Sequence, residues 1–374
     1  MSHKVFNPYD NALIEELPSA TEQTVRDAIS RAVAVKQQMA DMPAHRRGTI
    51  LQRASQLIDT QSAELATLMA RESGKPMKYA KGEVARAVET FQFAAEEARR
   101  LHGETIPLDA AKGGIGKFGY YVRVPVGVIA AITPFNFPLN LVAHKVAPAI
   151  AAGCPIVLKP APTTPLTSLR LADILQEAGL PAGAFEVVVG DKEVGEWLTT
   201  DPRIAMITFT GSPPVARAIS QVAGLRRTTF ELGGNAATIV DETVDLASTI
   251  DKLVIGSFAY SGQVCISVQR VYVHASRYDE FKKLFVERTA KLVTGDPLKD
   301  TTDLGPMITE SAAARVEAWV DEAVQQGAQV VVGGKRDGKM LPAIVLEQVK
   351  PDMKVMHEEV FGPVVNLIPF DNFE

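Results

Sequence analysis

Apolar and polar positions recur with different periods along this chain, and the changes of period divide it. Residues 20–103 carry a helical period. Ser19 with Glu22 predicts a capping box ahead of the run TVRDAISRAVAVKQQM. A second helical stretch begins near Arg46 and stops at Gly74, Lys75 and Pro76. In a third, Val84, Val88, Phe91, Ala95 and Ala98 recur at spacings of 4, 3, 4 and 3, one buried stripe. These helices read as scaffold without chemistry of their own.

Residues 104–125 predict two strands around a glycine-rich turn, an arm suited to pairing with another subunit. From Val126 to Val240, apolar runs (GVIAAIT, PIVLK, FEVVVG, AMITFT, AATIV) are separated by helix-like segments. Such alternation predicts βαβ units, a parallel sheet covered by helices, and a ligand site beyond the carboxyl ends of the strands. Residues 241–374 alternate again, with helices at 244–260, 278–293 and 309–327 and strands near RVYVHA and AQVVVGG. The fold class is therefore α/β: a Rossmann-like parallel-sheet domain over 1–233 and a second α/β domain over 234–374.

Composition narrows the function classes. At 374 residues, two domains are expected. A net charge of −5 disfavours nucleic acid or an anionic membrane as partner. The start, MSHKVFNPYD, has no signal-peptide pattern, and apolar runs such as 124–132 fall far short of the ~18 residues of a membrane span. Two cysteines make no disulfide framework, which points to a reducing, cytoplasmic setting. The six histidines are scattered, none at zinc-ligand spacing from a cysteine, so no metal site is expected.

Several short runs carry candidate chemistry. Gly114, Gly116 and Gly119 satisfy G-x-G-x-x-G but lack the strand before and the helix after, so they read as turn glycines. In MITFTGSPPVA (206–216) a strand ends at Thr210, Gly211 turns, Ser212 can cap and Pro213 suits the first helical position. Free N–H groups there suit a phosphate. In TPFNFPLN (133–140) two prolines hold a loop that presents Asn136, whose amide can donate to an oxyanion. Lys159 ends the strand of VLKPAP. Cys154, between Gly153 and Pro155, reads as a buried inert thiol. Cys265 in GQVC reads as a nucleophile able to form a thioester, with Glu231 in ELGG as a carboxylate that can activate water. Glu359 and Phe361 in HEEVFGPV can serve a ribose and a planar ring. His144 reads as a packed helix histidine or a contact for an anionic or hydroxylated ligand.

In order along the chain, TPFNFP, LKP, FTGS, ELGGN, GQVC and EEVFGPV resemble the aldehyde dehydrogenase superfamily. The resemblance implies NAD(P)-dependent oxidation of a small aldehyde to an acid through a cysteine thiohemiacetal and thioester, in a homo-oligomer. It implies Cys265 as nucleophile, Glu231 as general base, and Asn136 with the Cys265 N–H as oxyanion donors. Lys159 is similar to the lysine at the adenosine ribose, Gly211 and Ser212 to the pyrophosphate turn, and Glu359 to the carboxylate at the nicotinamide ribose. The resemblance further implies Phe361 beside the ring, the Leu232 backbone at the carboxamide, and Thr133, Pro134 and Phe135 flanking the cofactor. Pro162 replaces a glutamate that the family often carries near the adenosine ribose, which leaves NADP as compatible as NAD. Ala216 replaces the last glycine of the phosphate turn, and the sequence reads as C-terminally short. A CoA-acylating member is the alternative, although such enzymes usually lack a glutamate at 231. A silent binding protein on this fold would not need both Cys265 and Glu231, and a cysteine hydrolase would need a histidine partner that nothing nominates. The thiol is expected to have a lowered pKa.

Overall fold

The computed structural model describes residues 2–372. The chain opens with an antiparallel hairpin, β1 (Ser2–Phe6) and β2 (Leu13–Pro18), which local periodicity did not announce. Four helices follow: Glu22–Asp41, Ala44–Thr60, Ser62–Ser73 and Met77–Ala98. The first is capped by Thr21, whose hydroxyl accepts from Thr24 N–H while Thr24 Oγ1 accepts from Thr21 N–H. The box therefore sits two residues beyond the expected Ser19 and uses a second threonine in place of Glu22. The second predicted stretch breaks at Gln61 and ends at Gly74, which adopts the left-handed φ of 71° that glycine tolerates. Val84, Phe91, Ala95 and Ala98 are buried as the stripe requires, with Val88 half-buried beside them.

The arm is a short antiparallel pair, β3 (Glu104–Ile106) and β4 (Gly119–Tyr121). Gly114 and Gly116 lie in its turn and no helix follows Gly119, so the glycine triplet is turn chemistry. Large apolar side chains stand free on the arm, Phe118 and Ile115 among them.

The first sheet holds β5 (Ile129–Ile132), β6 (Ile156–Lys159), β7 (Phe185–Val187), β8 (Met206–Gly211) and β9 (Arg227–Leu232), all parallel, in the order β7-β6-β5-β8-β9. The middle strands are nearly continuous apolar runs because helices cover both faces. The chain enters at β5, moves outward to β7, then returns to the other side of β5 at β8. Strand order reverses between β5 and β8, so the loops leaving these two strands diverge and open a crevice.

The second sheet comprises β10 (Ala237–Val240), β11 (Arg270–His274), β12 (Gln329–Val332), β13 (Ile344–Glu347) and β14 (Val364–Phe370) in the order β10-β11-β14-β13-β12. Only the β12–β13 pair is antiparallel. AATIV, read with the first alternating block, thus pairs with Arg270–His274 in the second sheet. Strands β13 and β14 went unread, although both are central.

The N-terminal helical layer is more than scaffold. Glu72 is fully buried and accepts from the N–H groups of Leu166 and Thr167 and from the Thr167 hydroxyl, at the start of helix Leu166–Glu177. Glu83 accepts from Leu139 and Asn140 N–H at the start of helix Asn140–Ala151. Free N–H groups at a helix start favour an anionic acceptor. Burial outweighs this at Glu72 and lifts its pKa from an ordinary 4.5 to about 7.

The folded state therefore keeps a proton on Glu72 that the unfolded chain releases above its ordinary pKa. Stability from this group is present at low pH and is lost as pH rises towards about 7. Melting temperature measured from roughly pH 5 to roughly pH 7.5 should show this downward contribution, and Glu72→Gln should flatten it. An unchanged slope in the variant would contradict the assignment.

Candidate active site

The loop after β5 begins at Thr133, whose N–H donates to Lys159 O at 3.2 Å. Pro134 and Pro138 restrict its backbone, and Asn136 is 2% exposed within it. Asn136 Nδ2 donates to Gln263 O at 3.0 Å, and its Oδ1 has no partner. One amide hydrogen of Asn136 thus crosses to the segment that carries Cys265, and the other is uncommitted.

Cys265 does not stand on a helix end. Helix Leu246–Phe258 stops earlier, and the chain turns through Tyr260 and Ser261, both in the left-handed region at φ 49° and 54°. Each such residue costs roughly 1–2 kcal/mol unless its surroundings impose it. They do: Tyr260 Oη donates to Ser73 O and Ser261 Oγ to Gly305 O, both at 2.7 Å. Gly262 packs against the carbonyl of Gly362, where a side chain would clash. The Gln263 side chain accepts from Ile308 N–H at 2.9 Å and donates to the Tyr260 and Pro306 carbonyls. Cys265 emerges exposed from this pinned turn, whereas Cys154 is buried as expected.

Both segments meet at a crevice of about 690 Å³. Cys265, Asn136 and Glu231 line it together, with Glu231 at the carboxyl end of β9. So do Pro134, Phe135, Gly211, Ser212, Leu232, Glu359 and Phe361. Thr133 and Lys159 do not: Thr133 is buried at the loop's root, and Lys159 lies at the end of β6 with Nζ donating to Pro160 O at 3.2 Å. Burial lowers the Lys159 pKa to about 8.

The helix Asn140–Ala151 adds Leu141 and Lys145, which sequence reading passed over, beside His144, which it had singled out. Leu141, His144 and Lys145, three and four residues apart, point into the crevice from one face. Lys145 is a charge buried in an otherwise apolar helix, which was the available signal. Its Nζ donates to Thr208 Oγ1 at 3.1 Å, and burial lowers its pKa to about 8 against the pull of Glu231. His144 lines the crevice exposed, its pKa lowered by partial burial and then by Arg86 and Lys145. Arg315 also lines it, donating to Val360 O at 2.6 Å and stacking over Trp319.

A thiol, a carboxylate and an amide donor on one crevice can form, stabilise and hydrolyse a covalent carbonyl adduct. Comparison with known proteins agrees in kind. All of residues 1–374 match the sequence model of the aldehyde dehydrogenase family. The chain belongs to the aldehyde dehydrogenase family. It is 45% identical over 373 residues to a 3-sulfolactaldehyde dehydrogenase of Priestia aryabhattai, covering 99% of this chain and 78% of that protein. It superposes with a TM-score of 0.98 on aldehyde dehydrogenase 21 of Physcomitrella patens in complex with its product succinate, at 45% identity over 100% of this chain and 78% of that one. It superposes at 0.94 on a glyceraldehyde-3-phosphate dehydrogenase of Methanocaldococcus jannaschii complexed with NADP, at 37% identity over 99% of this chain and 81% of that one. The activity is oxidation of an aldehyde to a carboxylic acid with NAD(P). Among the described residues, no helix is long and apolar enough to cross a membrane.

The residues present fit a dinucleotide. Ser212 holds the N-cap position of helix Pro213–Ala223, yet its side chain makes no capping bond. At Gly211 a Cβ would lie 2.5 Å from the Phe209 ring, so only glycine leaves the turn open. Glu359 packs against Gly233 with Oε1 buried and unpartnered, an acceptor waiting for a hydroxyl. Phe361, at φ 49°, meets Phe135 edge-on at 5.9 Å. The substituted positions are also accommodated: Ala216 is buried in its helix, and the Pro162 carbonyl accepts from His3 Nε2 at 2.6 Å.

The expected lowering of the thiol pKa is not found. Burial raises the Cys265 pKa from its ordinary 9.0, and the Glu359 and Glu231 carboxylates raise it further, while the N–H groups of Cys265 and Ile266 act in the opposite sense. Among the described residues, no cation contributes to this shift. In the cofactor-free protein, the rate of Cys265 alkylation by iodoacetamide should therefore climb with pH along a curve centred above that of an ordinary thiol. Glu359→Gln should shift the curve to lower pH by removing a negative neighbour; a shift upward, or none, would contradict this electrostatic picture.

Proposed function

We propose that Cys265 is the nucleophile, Asn136 the oxyanion donor and Glu231 the general base of this oxidation. The observation that carries the reading is that all three line one crevice although they come from three separate segments. Cys265 Sγ, as thiolate, bonds to the aldehyde carbon, and the carbonyl oxygen becomes an alkoxide held by the free Asn136 Nδ2 hydrogen and the Cys265 N–H. NAD(P), held by Gly211, Ser212 and Glu359, would supply the acceptor for the hydride that leaves the adduct carbon when a thioester forms. Glu231 then takes a proton from water, the hydroxide attacks the thioester carbon, and the C–S bond breaks to release acid and thiolate. With a carboxylate at 231, water rather than CoA is the acceptor of the acyl group.

In the same reading, residues 1–233 hold the cofactor and 234–374 the catalytic cysteine. Lys159 serves the adenosine ribose, and Gly211 and Ser212 the pyrophosphate. Glu359 serves the nicotinamide ribose, with Phe361, Leu232, Thr133, Pro134 and Phe135 around the ring end. The apolar arm of β3 and β4 pairs with a second copy in a homo-oligomer, and two unpaired cysteines suit the cytoplasm.

The substrate is a short aldehyde with an anionic tail. His144 and Lys145 on the crevice wall support this, and so do the names of the relatives, which refer to a sulfonated, a carboxylated and a phosphorylated compound.

Cys265→Ala should abolish aldehyde oxidation while cofactor binding, followed by fluorescence titration, persists; retained oxidation would refute the assignment. Asn136→Ala should lower kcat on the order of 10²–10³-fold. Across a panel with NAD and NADP, succinate semialdehyde should give a higher kcat/KM than butyraldehyde. The reverse order would remove the anionic-tail reading.

A further inference from the structure

One buried ion pair touches both sides of the reaction centre without lining the crevice. Lys75 is 0% exposed and pairs with Glu83 Oε2. Its Nζ lies 3.8 Å from the ring centroid of Phe137 and 4.8 Å from that of Tyr260. Phe137 adjoins Asn136, and Tyr260 begins the left-handed turn that leads to Cys265. Tyr260 O accepts from Gln263 N–H at 3.1 Å, and Gln263 O accepts from Asn136 Nδ2 at 3.0 Å. The contacts close a ring: Lys75, Phe137, Asn136, Gln263, Tyr260 and Lys75 again. Glu83 fixes the far end of the Asn136 loop as well, because its Oε1 accepts from Leu139 and Asn140 N–H at 2.9 and 3.0 Å.

We infer that Lys75, held by Glu83, is a positioning residue that sets the Asn136 amide against the Cys265 sulfur. A cation between two aromatic faces has directional preference that an alkyl chain lacks, so it fixes how the Phe137 loop and the Tyr260 turn sit relative to one another. Net stability is a poor reason for the pair, since apolar replacements of buried ion pairs are often neutral or stabilising. This inference rests on the roles proposed for Asn136 and Cys265.

The test uses the full chain with Lys75→Met and Glu83→Gln combined. Both charges leave together, and the amide oxygen of the glutamine can still accept from Leu139 and Asn140 N–H, so no lone buried charge remains to unfold the protein. Amide exchange of 135–141 and of 260–266 should accelerate together, with the β5, β6 and β8 strands unaffected. Turnover of succinate semialdehyde per iodoacetamide-titrated Cys265 should fall on the order of 10–10²-fold, while the cofactor KM changes little. Adding Asn136→Ala should cost less in this background than in the parent chain. Wild-type turnover per titrated thiol, loosening of only one of the two segments, or fully multiplicative losses would each overturn the inference. Exchange does not depend on the assigned roles, so failure of those roles appears separately, as oxidation that survives Cys265→Ala.

Discussion

Glu83 stands where three demands meet in the interior. The start of helix Asn140–Ala151 has N–H groups that need an acceptor, Lys75 needs a counter-charge, and the loop carrying Asn136 needs a fixed end. One carboxylate satisfies all three, from a helix that contributes nothing to the crevice wall. A buried carboxylate is tolerable only when its oxygens are bonded and a cation is near. That requirement ties the helical layer, the first sheet and the cysteine turn into a single arrangement. Glu72 repeats the device at helix Leu166–Glu177, where burial outweighs its hydrogen bonds and raises its pKa.

The two sheets contribute differently to the site. The first provides a switch point, where the loops after β5 and β8 separate and Gly211 and Ser212, just before helix Pro213–Ala223, line the gap. From the second half come the thiol and the segment of Glu359 and Phe361, brought over by the Asn136–Gln263 bond and by Glu359 packing on Gly233. The strained backbone at Tyr260, Ser261 and Phe361 lies where these parts touch. Backbone outliers of this kind persist only where their surroundings over-determine them.

Much of this was legible in the residues. The Cys265, Glu231 and Asn136 runs could be nominated from their residue types and meet on one crevice, and the apolar runs of β5, β6 and β8 carried the parallel sheet. What escaped depends on partners distant in sequence. Thr21 rather than Ser19 caps the first helix because the chain turns extended there. AATIV looks the same in either sheet until Arg270–His274 is found beside it. Glu72 and Glu83 look like ordinary helix-surface charges and Lys75 like part of a helix stop, and only the packing of the helices of residues 22–98 on the sheet buries them. The direction of the Cys265 shift was misjudged for the same reason: folding half-buries the thiol, and it brings Glu359, 94 positions away along the chain, near in space.

The central claim is that one sulfur carries the acyl group until a carboxylate-activated water removes it. Glu231→Gln should disable only that last step. Intact-protein mass spectrometry after mixing this variant with succinate semialdehyde and NADP, or NAD if that is the cofactor used, should reveal one added succinyl group. Peptide mapping should locate it on Cys265. An unmodified protein that has produced reduced cofactor, or an acyl group on any other residue, would contradict the claim.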